Sequence, residues 1–327
     1  MSVIVTADLH WNDNPRDLYR HQYVEWLAGC LKQHKPEALF ILGDLTDAKD
    51  EHRAWLVNQV VLHITRLALF CPVVILRGNH DFLSPDWPFF RFVDQLENVY
   101  WVNWPDDGLF HLSIGDYVCL PHTSDYKNDW AKFDFSKYEW VFTHNTFTGS
   151  DYGQGPLAKG IPPDVFPDTC VVLSGDVHIP QSVKPVTYVG APYLVDFGDD
   201  YDPRVMLIGK GSVRSISVDG PQKRLVEIKS LADLKKVKLD SGDMVKVRLN
   251  LATEERSKWP EMQAAIKQWA EKQGLVLSSS QPMVAREPGQ ARRVRIYDDK
   301  LLVRDYVKSR GADAATEKTG IRLLEKA

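Results

Sequence analysis

The chain has 327 residues, 44% hydrophobic and 26% charged, an ordinary balance for a globular protein and length enough for one large domain plus a smaller one. A formal net charge of -4 excludes a globally basic polyanion binder, so attraction to a phosphate-bearing substrate must come from a local patch or from bound cations. No C-x-x-C pair joins the four cysteines (Cys30, Cys71, Cys119, Cys170), no apolar stretch nears membrane-span length, and no basic leader precedes an apolar run; the expectation is a cytoplasmic protein with reduced thiols and no membrane association.

In chain order, SVIVTADLH opens on a β-branched run that reads as a buried strand ending at Asp8 and His10. Residues 16–34 then carry apolar side chains at helical spacing (Leu18, Tyr23, Trp26, Leu27, Leu31). ALFIL is a second buried strand closed by GDLTD, residues 51–70 read as a second helix, and PVVILRGNHD is again strand then loop. Strand alternating with helix implies parallel strands, right-handed crossovers and a layered α/β core. From Val99 short strands dominate: VYWV, LFHLSI, YVCL, EWVFTH, TCVVLSG, VTYVG and RVMLIG. On pattern alone, one sheet that is parallel early and mixed or antiparallel later fits them.

The polar, glycine-bearing GKGSVRSISVDGPQKR puts a boundary near Gly220, giving a large domain over 1–220. RLVEI, MVKVRLNL, a helix over 259–273 and LVLSSS then predict a small β-α-β unit over 221–284. The remaining tail, 285–327, is rich in Arg and Lys, and its LLVRDYVKSR reads as a short helix. Two readings of that tail stand: a solvated face, or contact with nucleic acid or a partner protein.

The chemistry concentrates where apolar strands stop. DLH (Asp8, His10), GDLTD (Asp44, Asp47), RGNHD (Asn79, His80, Asp81), FTHN (His144) and SGDVH (Asp176, His178) each follow a buried run. In α/β sheets, groups just beyond the carboxyl ends of strands converge on one crevice. Carboxylates, imidazoles and an amide oxygen without thiolate suit Mn, Fe or Mg rather than structural zinc. The number of candidate ligands suggests two ions spanned by a bridging carboxylate, a pair that acidifies a water and clamps phosphate oxygens. Phosphoester hydrolysis follows. Any one fragment is explained equally well by turn chemistry, since GD and GN are common turn dipeptides; the five in order are not.

D-x-H, G-D-x-x-D, G-N-H-D, a single His and G-D-x-H in this order resemble the calcineurin-like metallophosphoesterases over residues 8–178. The resemblance implies a two-sheet α/β (α+β layered) sandwich flanked by helices. It also implies that Asp8, His10, Asp44 and His178 hold one ion and Asp44, Asn79, His144 and Asp176 the other, with Asp44 bridging. His80 would be the general acid and Asp47 its orienting partner, because a neighbouring carboxylate fixes an imidazole's tautomer and raises its pKa. The chain departs from the family where Asp176 stands in place of the usual His, which adds negative charge and lowers the Lewis acidity of the second ion. After the last motif, TYVGAP and DFGDD are similar to the corresponding turns of SbcD-type nucleases of double-strand-break repair; Thr46 replaces the Phe often seen there. That narrower resemblance implies a DNA exonuclease, 3′ to 5′, with single-strand endonuclease activity, two Mn ions (Mg or Fe as alternatives), a DNA-angling cap over 221–284, a homodimer and an SbcC-like coiled-coil ATPase partner. The rivals are a stand-alone phosphatase or cyclic-nucleotide phosphodiesterase with the same metals, and a binding subunit whose site has decayed.

Other residues are weighed against ordinary packing. His21, His34, His52 and His63 fall in predicted helices and read as surface or packing residues, while His122 is a candidate for the cleft wall. Trp11 and Trp87 follow the catalytic loops and could stack on a base, although packing is the preferred reading for both. Arg77 is a candidate phosphate contact or an ordinary salt bridge, and Arg292, Arg293 and Arg295 are candidate DNA-backbone contacts.

Overall fold

Runs such as SVIVT, ALFIL and VVIL carry almost no polar side chain, so they can sit in a sheet buried on both faces. The computed structural model describes residues 2–153 and 155–284, together with Thr316 and Thr319. Four parallel strands come first, β1 (Ser2–Thr6), β2 (Ala38–Leu42), β3 (Val73–Leu76) and β4 (Val99–Val102), with helices α1 (Tyr19–His34) and α2 (Ala54–Ala68) in the first two crossovers. A second sheet follows. In it β5 (Tyr117–Leu120), β6 (Trp140–His144), β7 (Val171–Gly175) and β9 (Val186–Tyr188) are parallel, with the short β8 (Gln181–Val183) antiparallel at one edge. A single turn of helix, α3 (Tyr126–Asp129), lies between β5 and β6. The chain then returns to the first sheet, where β10 (Arg204–Gly209) runs antiparallel to β1 and pairs with β11 (Ser212–Ser217). The orders are β11-β10-β1-β2-β3-β4 and β5-β6-β7-β9-β8.

Strand periodicity assigns each side chain to a layer. Val3, Val5, Phe40, Leu42, Val74 and Leu76 meet Tyr117, Cys119, Trp140, Phe142 and Leu173 between the sheets. Their alternates Ile4, Leu39, Ile41, Val73 and Ile75 pack under α1 and α2 against Tyr23, Leu27, Leu31, Val60 and Ile64. On the far side, Val118, Leu120, Val141 and Val172 join Trp130, Phe147 and Phe166. The architecture is a two-sheet sandwich flanked by helices. All four cysteines are buried and free, and among the described residues no helix is long and apolar enough to cross a membrane.

The later strands do not extend one sheet, as pattern alone suggested; most of them build the second sheet and only β10 and β11 return to the first. LFHLSI is not a strand. Gly108 and Gly115 flank it with φ of 111° and 120°, and its N–H groups leave the ladder: Leu109 and Phe110 donate to the Tyr117 hydroxyl, Ser113 to Glu37. Its apolar side chains Leu112 and Ile114 plug the inter-sheet core instead. Conversely, SVRSIS forms the edge strand β11, whose mostly exposed side chains carry no apolar alternation for a sequence reading to detect.

Gly220 lies in the connection from β11 to β12 (Lys223–Ile228). β12 pairs in parallel with β13 (Met244–Leu251), and β14 (Val276–Val284) completes a three-stranded sheet in the order β12-β13-β14. Helix α4 (Trp259–Lys272) covers this sheet with Ile266 and Ala270 against Val245, Val247 and Leu249. LLVRDYVKSR, Arg292, Arg293 and Arg295 lie outside the described residues.

Phe40 and Phe142 stack between the two sheets, their ring centroids 4.3 Å apart and 25° from parallel. Phe40→Ala should therefore lower the unfolding free energy by about 3–5 kcal/mol in urea titrations. A loss under about 1 kcal/mol would mean the sheets can close over the gap.

Candidate metal centre

The parallel strands β1, β2, β3, β6 and β7 all end at one rim, and the loops leaving them are held in unusual backbone conformations. Asp8, His10, Asp44 and Asp176 have φ of 54°, 43°, 55° and 85°, left-handed values that non-glycine residues rarely adopt. Such strain persists only where neighbours over-determine it. Here they do. Asp8 N–H donates to the Gly43 carbonyl (3.2 Å) and His10 N–H to that of Asp44 (2.9 Å), so the first two loops are laced together. The fully buried Asp81 carboxylate accepts from the N–H groups of Gly78 (2.7 Å), Asp44 (2.9 Å) and Leu45 (3.0 Å), fastening the second loop to the third. Close approach explains two glycines: a Cβ on Gly43 would overlap the His144 ring, and one on Gly78 would overlap Asp44.

Two groups of potential ligands result, Asp8–His10–His178 and Asp8–Asp44–His144, with Asp8 common to both. Asp44 spans them as well, its Oδ2 lying 3.5 Å from His10 Nε2 and its Oδ1 3.4 Å from His144 Nε2. His144 donates Nδ1–H to the Leu42 carbonyl (2.5 Å), which aims Nε2 at the cluster. The Asn79 amide stands 3.0 Å from that nitrogen and 3.1–3.2 Å from both Asp44 oxygens. As placed, its oxygen faces His144 Nε2 and could serve as a further ligand; turned over, its nitrogen donates to the Asp44 carboxylate and to that imidazole. His10 and His178 bring their Nε2 atoms to 3.0 Å, a spacing that needs a proton or a cation between two lone pairs. Asp176 Oδ1 is 3.9 Å from His144 Nε2, while its Oδ2 accepts from the Thr146 hydroxyl, itself 2.8 Å from the Tyr152 hydroxyl.

The electrostatics show what this set lacks. Asp8 Oδ2 is buried without a hydrogen-bond partner, and burial pushes the Asp8 carboxyl up to about 7. Burial also works against the Asp44 charge, yet the imidazoles of His144 and His10 hold its carboxyl well below the usual range. Their own values rise: the Asp44 carboxylate lifts His144 well above an ordinary imidazole despite burial, and the Asp47 hydrogen bond and Asp44 charge lift His10. His178 falls to about 3 through burial and the nearby His10. An orphaned buried oxygen among imidazole, carboxylate and amide donors fits divalent cations, which would replace these shared protons.

The family model for calcineurin-like phosphoesterases matches residues 1–209. The chain belongs to that family. A viral protein named "Putative phosphoesterase 244L", from Invertebrate iridescent virus 6, is 24% identical over 225 residues, covering 63% of this chain and 75% of the viral one. Calcineurin-like phosphoesterases are metal-dependent phosphoester hydrolases, and the two ligand groups lie within the matched span.

In this phosphoesterase the structure brings Asp8, His10, Asp44, Asn79, His144, Asp176 and His178 to one rim, with His80 beside them, its ring centroid 5.2 Å from that of His10. One expected pairing is corrected. The Asp47 carboxylate does not orient His80: it accepts from His10 Nδ1 (3.0 Å), Asn12 and Arg20 (3.2 Å), which bring its carboxyl to about 2 against the opposing effect of burial. His80 donates Nδ1–H to the Asp47 backbone carbonyl instead (2.7 Å). Arg77 is no phosphate contact either. It is 3% exposed, its Nη1 and Nη2 donate to the carbonyls of Pro85 and His122, and its guanidinium lies against the faces of Phe82 and Trp104. His122 does line the wall, with Nδ1 3.3 Å from the His144 carbonyl. Trp11 is fully buried and donates to the Arg20 carbonyl (3.3 Å), whereas Trp87 is 78% exposed and not packed as expected. Sequence reasoning missed the roles of Asp81, Arg20 and Thr146. Asp81 was visible within G-N-H-D, but nothing marks a carboxylate as a backbone fastener rather than a ligand.

Two outcomes follow. Burial holds a proton on Asp8 up to about pH 7 that ligation must displace, so Mn affinity should rise from about pH 6 to pH 8 with proton release near pH 7. Calorimetric titration in buffers of different ionisation enthalpy reads this; pH-independent affinity would contradict it. Asp81→Ala strands three buried N–H donors at about 1–3 kcal/mol each, so a stability loss near 3 kcal/mol is expected in denaturant melts.

Proposed function

We propose that the chain is a dinuclear-metal phosphodiesterase that cleaves DNA, the SbcD-like nuclease subunit of a repair or recombination complex. The observation that carries the hydrolytic reading is the pair of ligand groups sharing Asp8, with an imidazole outside both groups, His80, at their edge. Asp8, His10, Asp44 and His178 would hold one ion, and Asp44, Asn79, His144 and Asp176 the second. Mn suits these nitrogen and oxygen donors, with Mg or Fe as alternatives. When bound, the ions supply neutralising charge at the phosphate and a water acidic enough to attack it. The chain's own residues do the rest. Asp44 holds the two ligand groups in register through one oxygen to each imidazole. His80, its tautomer set by the Asp47 carbonyl, offers Nε2–H when protonated to the departing oxygen. Asp47 and Leu42 aim two of the three proposed imidazole ligands, His10 and His144.

DNA as the substrate is supported by the TYVGAP and DFGDD turns leading from β9 toward β10, and by the three-stranded sheet with α4 after them, read as a cap over 221–284. Exonuclease action 3′ to 5′ with single-strand nicking, a homodimer and an SbcC-like ATPase partner are proposed on that resemblance. With a net charge of -4, the ions themselves are the principal attraction for a polyanion.

Purified protein with Mn should degrade labelled DNA in preference to bis-p-nitrophenyl phosphate and cyclic nucleotides. Turnover of the small diesters with DNA untouched would favour a stand-alone phosphodiesterase, and no hydrolysis with any divalent ion a decayed binding subunit. His80→Ala should lower kcat by about 10²–10⁴-fold while Mn binding persists. For the unusual ligand, Asp176→Ala should remove one Mn per chain, counted by calorimetry, and Asp176→His should restore it; an unchanged count in Asp176→Ala would remove Asp176 from the ligand set.

A further inference from the structure

A chain of charges, buried at Lys223, Asp17 and Arg20 and half-exposed at Asp47, runs from the three-stranded sheet to the metal centre. Lys223, at the start of β12, is buried; its ammonium contacts Asp17 Oδ1 at 2.6 Å and donates to the Val195 carbonyl at 2.8 Å. Asp17 is buried too, and its Oδ1 lies 3.7 Å from Arg20 Nη2. The buried Arg20 donates Nη2–H to the same Val195 carbonyl (3.4 Å) and Nη1–H to the His10 carbonyl (2.6 Å) and the Asp47 carboxylate (3.2 Å). Asp47 then contacts His10 Nδ1 at 3.0 Å. Beside this chain, Leu194 N–H donates to the Gln222 side chain (2.8 Å) and the Tyr19 hydroxyl to the Leu194 carbonyl (2.7 Å), so the segment 194–195 is clamped between α1 and β12.

Arg20 thus grips His10 twice, at its backbone carbonyl and, through Asp47, at its ring. The first grip bears on a residue with φ of 43°, whose conformation needs outside support. Ordinary core stabilisation does not call for this arrangement: buried ion networks contribute little net stability against apolar replacements of similar volume, whereas removing one partner strands the rest. What the network does supply is a fixed position for one imidazole.

We propose that Arg20 and Lys223 are positioning residues for His10, through which the seating of the three-stranded sheet sets the affinity of the first metal site. The proposal rests on His10 being a ligand, as read above. Loss of a group behind a ligand costs about 10–100-fold in metal affinity. Arg20→Gln should weaken one of two Mn binding events by that factor, Arg20→Lys should recover part of it, and Lys223→Met should weaken the same event.

The test is calorimetric titration of the full chain with Mn alone, without substrate, beside His10→Ala and a double-mutant cycle of Lys223→Met with Asp47→Asn. Coupling through Asp47 predicts that Lys223→Met costs less affinity in the Asp47→Asn background than in the wild type. Equal cost in both backgrounds, or Mn affinities unmoved by Arg20→Gln and Lys223→Met while thermal stability falls, would overturn the proposal and leave the ligand assignment standing. Unchanged Mn binding in His10→Ala would instead sink the ligand assignment, and the proposal with it.

Discussion

Burying ionisable groups together without water is the constraint on which the rest depends. Asp8, Asp44 and His144 have almost no solvent contact, yet they lie within reach of one another at the rim of two sheets. Isolated buried charges cost far more than a domain's net stability, so such a cluster persists only if the groups share protons or hold cations. The opposed shifts of Asp8 upward and Asp44 downward describe the first solution, and the orphaned Asp8 Oδ2 marks the place of the second.

The same constraint shapes the backbone. Carboxylates and imidazoles can point inward from the ends of parallel strands only if the loops turn sharply, and four site residues take left-handed conformations to do so. Asp81 answers that cost. One buried carboxylate with three N–H donors fixes the loops after β2 and β3, even though burial lifts its own carboxyl to about 6. Helix α1 answers it a second time through Arg20, which holds the DLH loop at the His10 carbonyl and the GDLTD loop at Asp47. The layers therefore do more than provide a platform: α1 contributes Leu27 and Leu31 to the core and Arg20 to the site.

Much of this was legible in the sequence because ligand chemistry restricts residue type at strand ends, and strand ends are legible from apolar runs. Asp8, Asp44, His144 and His178 could be read that way. The partners behind them could not. Arg20 reaches Asp47 across 27 positions, a juxtaposition that only the crossover through α1 creates, and its place in a helical pattern carries no mark of it. Arg77 misled for the opposite reason: beside a ligand motif it looks like a phosphate contact, but a strand end buried on both faces leaves its guanidinium inside. In the fold, LFHLSI has strand composition but gives its N–H groups to the Tyr117 hydroxyl and Glu37, while SVRSIS lacks the apolar pattern and pairs with β10 anyway. Pairing is a property of two segments, and the pattern of one does not contain it.

Asp176 shows how a departure from a family pattern can be accommodated locally. An imidazole at that position would present one nitrogen, with its other nitrogen free to take a structural partner. The carboxylate divides the same tasks between its oxygens, Oδ1 toward His144 and Oδ2 toward the Thr146 hydroxyl. Thr146, in turn 2.8 Å from the Tyr152 hydroxyl, is thereby part of the support for this carboxylate. A donated hydrogen bond draws charge from Oδ2 and so offsets some of the extra negative charge that the substitution brings. In the ligand set proposed above, that bond would temper the reduced Lewis acidity expected of an ion held by an additional carboxylate. The carboxylate at 176 and the hydroxyls of Thr146 and Tyr152 form one hydrogen-bonded unit at the rim.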